Sequence, residues 1–268
     1  MAKYTIGINE LKDKSHNLWK SVLAEFIGIF ILCFFSCAAC TQSNGDLTLI
    51  SLAFGLSVFM AACTIGHISG CHINPAVTAG LLAAGKISVV RGIFYVISQC
   101  AGAVAGVASL KALISDVPGD GPAGLGHTNL KNISEFQGFG FEFFLGFILV
   151  LVVFGVTDEN KPDSRFLAPL AIGLTVSLGH LGTVTYTGSS MNPARTFGTA
   201  FVTGIWENHW VYWAGPILGG VAAALLYVLC FAAPEIESHD LEKYRQVQQT
   251  DEKEGLKKYP DLKYIDEE

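Results

Sequence analysis

The chain has 268 residues, of which 51% are hydrophobic and 15% charged, with a formal net charge of −6 at pH 7. A soluble domain of this length carries nearer a quarter charged residues, so the composition excludes an ordinary soluble protein. The acidic balance comes mostly from the C-terminal tail and says little about partners.

Residues 1–20 are interrupted by Lys3, Glu10, Lys12, Asp13, Lys14 and Lys20. They are too polar for a secretory signal, so the first apolar run is expected to stay as an anchor behind a short terminus, 1–17. Ser21–Cys40 holds one charge, Glu25, and Leu47–Ile65 holds none. Next comes "SGCHINPAVTAG" at 69–80. Asn is a strong helix N-cap and Pro suits the first helical position, so Asn74-Pro75-Ala76 starts a helix that Gly85 stops. About eleven residues at ~1.5 Å each give roughly 16 Å, half a membrane. Gly92–Leu110 is again uncharged.

The Gly/Pro-rich stretch Asp116–Glu135 reads as an extracellular loop and contains the glycosylation sequon Asn132-Ile133-Ser134. Phe136–Val156 holds only Glu142, and Phe166–Val184 holds no charge. "TGSSMNPARTFG" at 187–198 starts a second half-length helix at Asn192-Pro193-Ala194, with room before Gly204. Trp210–Ala233 is a last uncharged run, followed by a mixed-charge tail, 234–268. Each long run has roughly the length that a helix needs to cross ~30 Å of hydrocarbon.

The chain repeats itself. "SLAFGLSV" at 51–58 matches "PLAIGLTV" at 169–176, and Asn74 matches Asn192, both 118 positions apart. Glu25 and Glu142 match at 117. Three spans per copy is an odd number, so the second copy enters the membrane from the other side, and such inverted repeats place their functional elements near the midplane. The expected fold is an all-α membrane protein with six transmembrane helices and two re-entrant half-helices in an inverted 3+3 repeat. Repeat one is 18–115, the loop is 116–135 and repeat two is 136–233. Of seventeen Lys and Arg, fourteen fall on one side, Lys111 and Lys131 on the other, and Arg195 stands apart. Both termini are therefore expected in the cytoplasm, with the chain in the cell membrane.

Two half-helices from opposite sides would meet N-terminus to N-terminus, adding their positive dipole ends at one point. The loops before them would be non-helical backbone at membrane depth, tolerated only along a water-filled path. Each Asn is expected to cap its helix through its oxygen and keep its NH₂ free for that path. An arginine at membrane depth is costly and usually lines a cavity, which singles out Arg195. The seven cysteines read as buried thiols. No nucleotide, metal or catalytic constellation stands out, so no enzyme activity, cofactor, metal or nucleic-acid partner is expected.

The set "AEFIG", "LAFGLSV", "GHISGCHINPAVT", "FEFFLG", "LAIGLTVSLGH" and "GSSMNPARTFG" closely resembles the aquaporins, the major intrinsic protein family, over about residues 18–233. The resemblance implies a homotetramer in the lipid bilayer, with a narrow pore in each subunit that carries water passively down osmotic gradients. By motif position the family's selectivity filter falls on Phe54, His180, Ser189 and Arg195. Phe54 and His180 would narrow the passage, and His180 and Arg195 would offer donors to water. The backbone carbonyls of Gly70, Cys71, His72 and Ile73, and of Gly188, Ser189, Ser190 and Met191, would line the pore. Glu25 and Glu142 would brace the two re-entrant loops.

Glycerol-conducting relatives resemble "NPARD" after the second motif and have a small residue in place of the filter histidine. This chain has Thr196 there and keeps His180, and Thr199-Ala200 and Tyr212-Trp213 also resemble the water-selective pattern. Water selectivity is thus expected. A glycerol or urea facilitator and a membrane-junction protein on the same fold are the alternatives.

Overall fold

A computed structural model describes residues 5–12, 17–114 and 124–234. The predicted tail, the first half of the connecting loop and the outermost N-terminus lie outside the described residues. The chain divides at Ala232/Ala233, and almost all of the second part is outside them too.

Among the described residues, eight α-helices carry the fold: α1 (Leu18–Gln42), α2 (Leu47–Ser69), α3 (Pro75–Ala83), α4 (Val89–Leu113), α5 (Glu135–Thr157), α6 (Ala168–Thr187), α7 (Pro193–Thr203) and α8 (Val211–Leu226). Among the described residues, six helical stretches are long and apolar enough to cross a membrane, and each contains or overlaps one of the predicted runs. The half-helices α3 and α7 have 9 and 11 residues, so they extend about 14 and 17 Å.

Local chemistry sets the helix ends. Asp46 accepts from the backbone N–H of Thr48 and Leu49 at 2.8 and 3.1 Å and starts α2. Ser134 and Gln137 form a reciprocal capping box that starts α5. The N-terminal strand of chain caps α4 with its own backbone. Val89 N–H donates to Thr5 O at 3.1 Å and Val90 N–H to Ile6 O at 3.0 Å. The Glu10 carboxylate pairs with Arg91 at 2.7 Å beside them.

Within each repeat the first and third long helices pack closely, α1 on α4 and α5 on α8, while α2 on α6 joins the repeats. Small residues set these approaches. A Cβ on Gly219 would collide with the Phe143 carbonyl, and Gly55 and Gly173 face each other's backbone between α2 and α6. Close backbone contact through small residues is how helices associate where lipid supplies no hydrophobic drive. The half-helices cross over: α3 docks on α8 of the other repeat, and α7 docks on α4. Gly198 makes the second contact possible, because a Cβ there would lie 2.7 Å from the Ala103 backbone.

Candidate functional site

Each re-entrant loop leaves its long helix through a left-handed glycine, Gly70 at φ 86° and Gly188 at φ 78°, the usual way to end a helix. Four non-glycine residues then also take left-handed backbone: Cys71 (φ 49°), Ile73 (42°), Ser189 (47°) and Met191 (56°). Such residues cost about 1–3 kcal/mol each and persist only where their surroundings hold them.

Two buried carboxylates do the holding. Glu25 Oε1 accepts from Ser69 Oγ at 2.6 Å and from His72 N–H at 2.8 Å. Its Oε2 accepts from Ile73 N–H at 2.6 Å and from Gln99 Nε2 at 2.8 Å. Glu142 repeats the pattern: Oε1 accepts from Thr187 Oγ1 at 2.7 Å and Ser190 N–H at 2.9 Å, and Oε2 from Met191 N–H at 2.9 Å. Each loop has a second brace, because Tyr95 Oη donates to Ser69 O and Tyr212 Oη to Thr187 O, both at 2.9 Å. Sequence reasoning named the two glutamates and missed Ser69, Thr187, Gln99 and the bracing tyrosines. The signal was present for four of these: Ser69 and Thr187 are 118 apart, Tyr95 and Tyr212 117 apart.

The two asparagine caps meet. Asn74 Oδ1 accepts from Ala76 N–H at 2.8 Å, and Asn192 Oδ1 accepts from Ala194 and Arg195 N–H at 3.1 and 3.3 Å. The expectation of free NH₂ groups needs correction. Asn74 Nδ2 donates to Met191 O at 2.9 Å, and Asn192 Nδ2 donates to Ile73 O at 2.8 Å. One proton of each amide thus ties the opposite loop, and one remains for another acceptor. The carbonyl left over by each strained loop is the partner, a pairing that an offset alignment of two copies does not display.

Phe54, His180 and Arg195 come together. The Phe54 and His180 rings stack with centroids 4.1 Å apart. Arg195 Cζ lies 4.8 Å from the Phe54 centroid, within cation–π range. All three residues are buried, and so is Ser189. His180 Nδ1 is 2.9 Å from Val176 O. A carbonyl only accepts, so Nδ1 carries the proton and Nε2 of the neutral ring is an acceptor. This cluster therefore presents an acceptor at His180 and donors at Arg195, where donors were expected from both. His180 Nε2, Ser189 Oγ, and Arg195 Nε and Nη1 are buried and have no hydrogen-bond partner among the described residues.

A cavity of about 1120 Å³ runs from Lys86, Asp158 and Arg165 past Asn74 and Asn192 to Phe54, His180 and Arg195. Gly70, Cys71, His72, Ile73, Ser190 and Met191 line it, and Gly188 and Ser189 do not. Asn132 is exposed, in the turn that precedes the cap of α5.

His127 stands beside this end of the path. Burial, then Arg195, then His209 push its imidazole from 6.5 down to about 4. Its lowered value means that the undocked loop binds the proton more readily than the docked one. Docking is then fully stabilised above pH 6.5 and weakens as pH falls to about 4. Hydrogen exchange of residues 124–131, corrected for intrinsic rates, should be faster at pH 4.5 than at pH 7. Replacing His127 with Gln should remove that difference, and an unchanged pH response would refute the assignment.

A family model described as "Major intrinsic protein" matches residues 12–227. "Aquaporin FA-CHIP" of Pelophylax lessonae is 41% identical over 234 residues, covering 82% of this chain and 84% of that protein. "Aquaporin-4" of Rattus norvegicus is 41% identical over 227 residues, covering 82% and 69%. The X-ray structure of the aquaglyceroporin from Plasmodium falciparum superposes with a TM-score of 0.72 at 27% identity, covering 80% of this chain and 97% of that one. With the matched span enclosing both half-helices and the cavity between them, the chain belongs to the major intrinsic protein family and is an aquaporin, a multi-pass membrane channel rather than an enzyme.

Proposed function

We propose that the chain is a passive, osmotically driven water channel that excludes ions and protons and largely excludes glycerol. The observation that carries this reading is the group of buried, partnerless polar atoms on His180 and Arg195, pressed against Phe54 at the end of the cavity. Buried polar groups normally have partners, and a passing water supplies both a donor for His180 Nε2 and an acceptor for Arg195. Pore width, lining groups and electrostatic barriers decide selectivity in such pores, and in this reading the stacked Phe54 and His180 rings narrow the passage against a polyol. The relatives named as aquaporins support water as the permeant. Likeness to a solved aquaglyceroporin favours a small-solute facilitator as the second reading.

In this reading the loop carbonyls of 70–73 and of 190 and 191 line the cavity, those of 188 and 189 continue the pore outward beyond its end, Ser189 is the fourth filter residue there, and residues 18–233 form the channel domain. Both termini are cytoplasmic in the cell membrane, the subunits form a homotetramer, and Asn132 is an extracellular glycosylation acceptor. Oocytes test the selectivity. Osmotic swelling should rise strongly over uninjected cells while isosmotic glycerol uptake barely changes, and equal acceleration of both would overturn the water-selective reading.

The Ser189 placement has its own test. Ser189→Cys should become readily blocked by an externally applied, membrane-impermeant mercurial, reversed by a reducing rinse, while the wild type is inhibited weakly. Rapid external block of the wild type, with nothing added by the cysteine, would remove Ser189 from the filter.

A further inference from the structure

Thr128 belongs to the connecting loop, outside both repeats, yet it is completely buried. Its Oγ1 lies 2.9 Å from Thr196 Oγ1, which lies 2.6 Å from Ser190 Oγ. Ser190 Oγ donates to Asn192 O at 2.9 Å. A hydroxyl has one proton, so these contacts run in a fixed order. Ser190 has given its proton to Asn192, so Thr196 must donate to Ser190, and Thr128 must donate to Thr196. The loop thus heads a directed chain of three buried hydroxyls that ends on the backbone of the central asparagine, with Arg195 next to its middle link.

Repeat one shows what this chain replaces. Thr78 stands 118 positions before Thr196 and His72 stands 118 before Ser190. Thr78 Oγ1 donates to Asn74 O, lies 3.1 Å from His72 Nδ1, and accepts from Gln99 Nε2 at 3.1 Å. The outer support of that threonine is therefore an amide on the long helix α4. The position in α8 matching Gln99 by the 117 offset is Pro216, which has no donor. Thr128 fills the vacancy from the loop. The loop is anchored on both sides of it: Leu125 is buried in the core, Gly126 sits against Cys37 and Cys40 of α1, and Lys131 N–H donates to Tyr186 O at 2.8 Å.

We propose that Thr128 is a positioning residue for the filter, the counterpart in repeat two of Gln99, and that through it the connecting loop sets the placement of Arg195. The proposal rests on the filter reading above. Thr128→Val keeps the shape and removes the proton that Thr196 accepts. Its glycerol-to-water permeability ratio, measured in proteoliposomes and normalised to channel number, should rise about fivefold, the size of one neutral hydrogen bond. Thr128→Ser should restore the wild-type ratio. Thr196→Val, which breaks the chain at its middle, should give the same rise.

An unchanged ratio in Thr128→Val, or a serine variant that behaves like the valine one, overturns the proposal. His180→Ala separates the two claims. If it raises the ratio and Thr128→Val does not, the positioning role falls and the filter stands. If neither raises it, both fall, and if only Thr128→Val does, the role of Thr128 stands and His180 leaves the filter.

Discussion

Replacing Glu142 with Leu is expected to abolish water permeability and to lower the stability of the folded channel by about 3–5 kcal/mol. The carboxylate is completely buried and accepts from Thr187 Oγ1, Ser190 N–H and Met191 N–H. Leucine fills the space but leaves three donors without an acceptor, each costing about 1–3 kcal/mol. It also frees Ser189 and Met191 to leave their left-handed conformations, and the Met191 carbonyl with them, which holds Asn74 Nδ2. Glu142→Gln should fall between, since one amide oxygen can still accept while its NH₂ faces a donor. Thermal unfolding in detergent and vesicle water flux check this. Wild-type values for both in Glu142→Leu would mean that the second loop holds its shape without the brace.

Arg195→Val is expected to raise proton leak by at least about tenfold. Arg195 is 2% exposed and lies beside the N-terminus of α7. A full charge about 8 Å from a permeating hydronium raises its energy by ~2 kcal/mol at an effective dielectric of about 20. The half-helix ends add a smaller contribution. Removing the guanidinium therefore lowers the barrier by more than the ~1.4 kcal/mol that a tenfold change requires, while α7 stays capped by Asn192. A pH-sensitive dye trapped in proteoliposomes under a pH gradient reports the leak directly. No change in leak would assign proton exclusion to the asparagine pair and the dipoles alone.

Much of the architecture was legible because membrane burial writes plainly in sequence. Six charge-poor runs gave six helices, and Asn-Pro-Ala gave two half-helices through local capping chemistry alone. Glu25 and Glu142 stood out as lone charges in apolar runs, and both hold loops. The crosswise use of the asparagine amides was not legible. It depends on carbonyls of Ile73 and Met191, and every residue has a carbonyl, so side-chain identity carries no mark of it. The His180 tautomer was hidden for a similar reason, since it follows from the Val176 carbonyl one turn earlier. Thr128 escaped notice because it lies outside the repeat, where comparison of the two copies has nothing to align.

The central claim, that this pore passes water by itself and passively, is tested most directly with purified protein in proteoliposomes. Stopped-flow light scattering would follow their shrinkage in hyperosmotic sucrose over a range of temperatures. A passive water pore should make the vesicles shrink much faster than empty ones, at a rate that scales with protein content and depends only weakly on temperature. Shrinkage at the empty-vesicle rate, with the same steep temperature dependence, would contradict it.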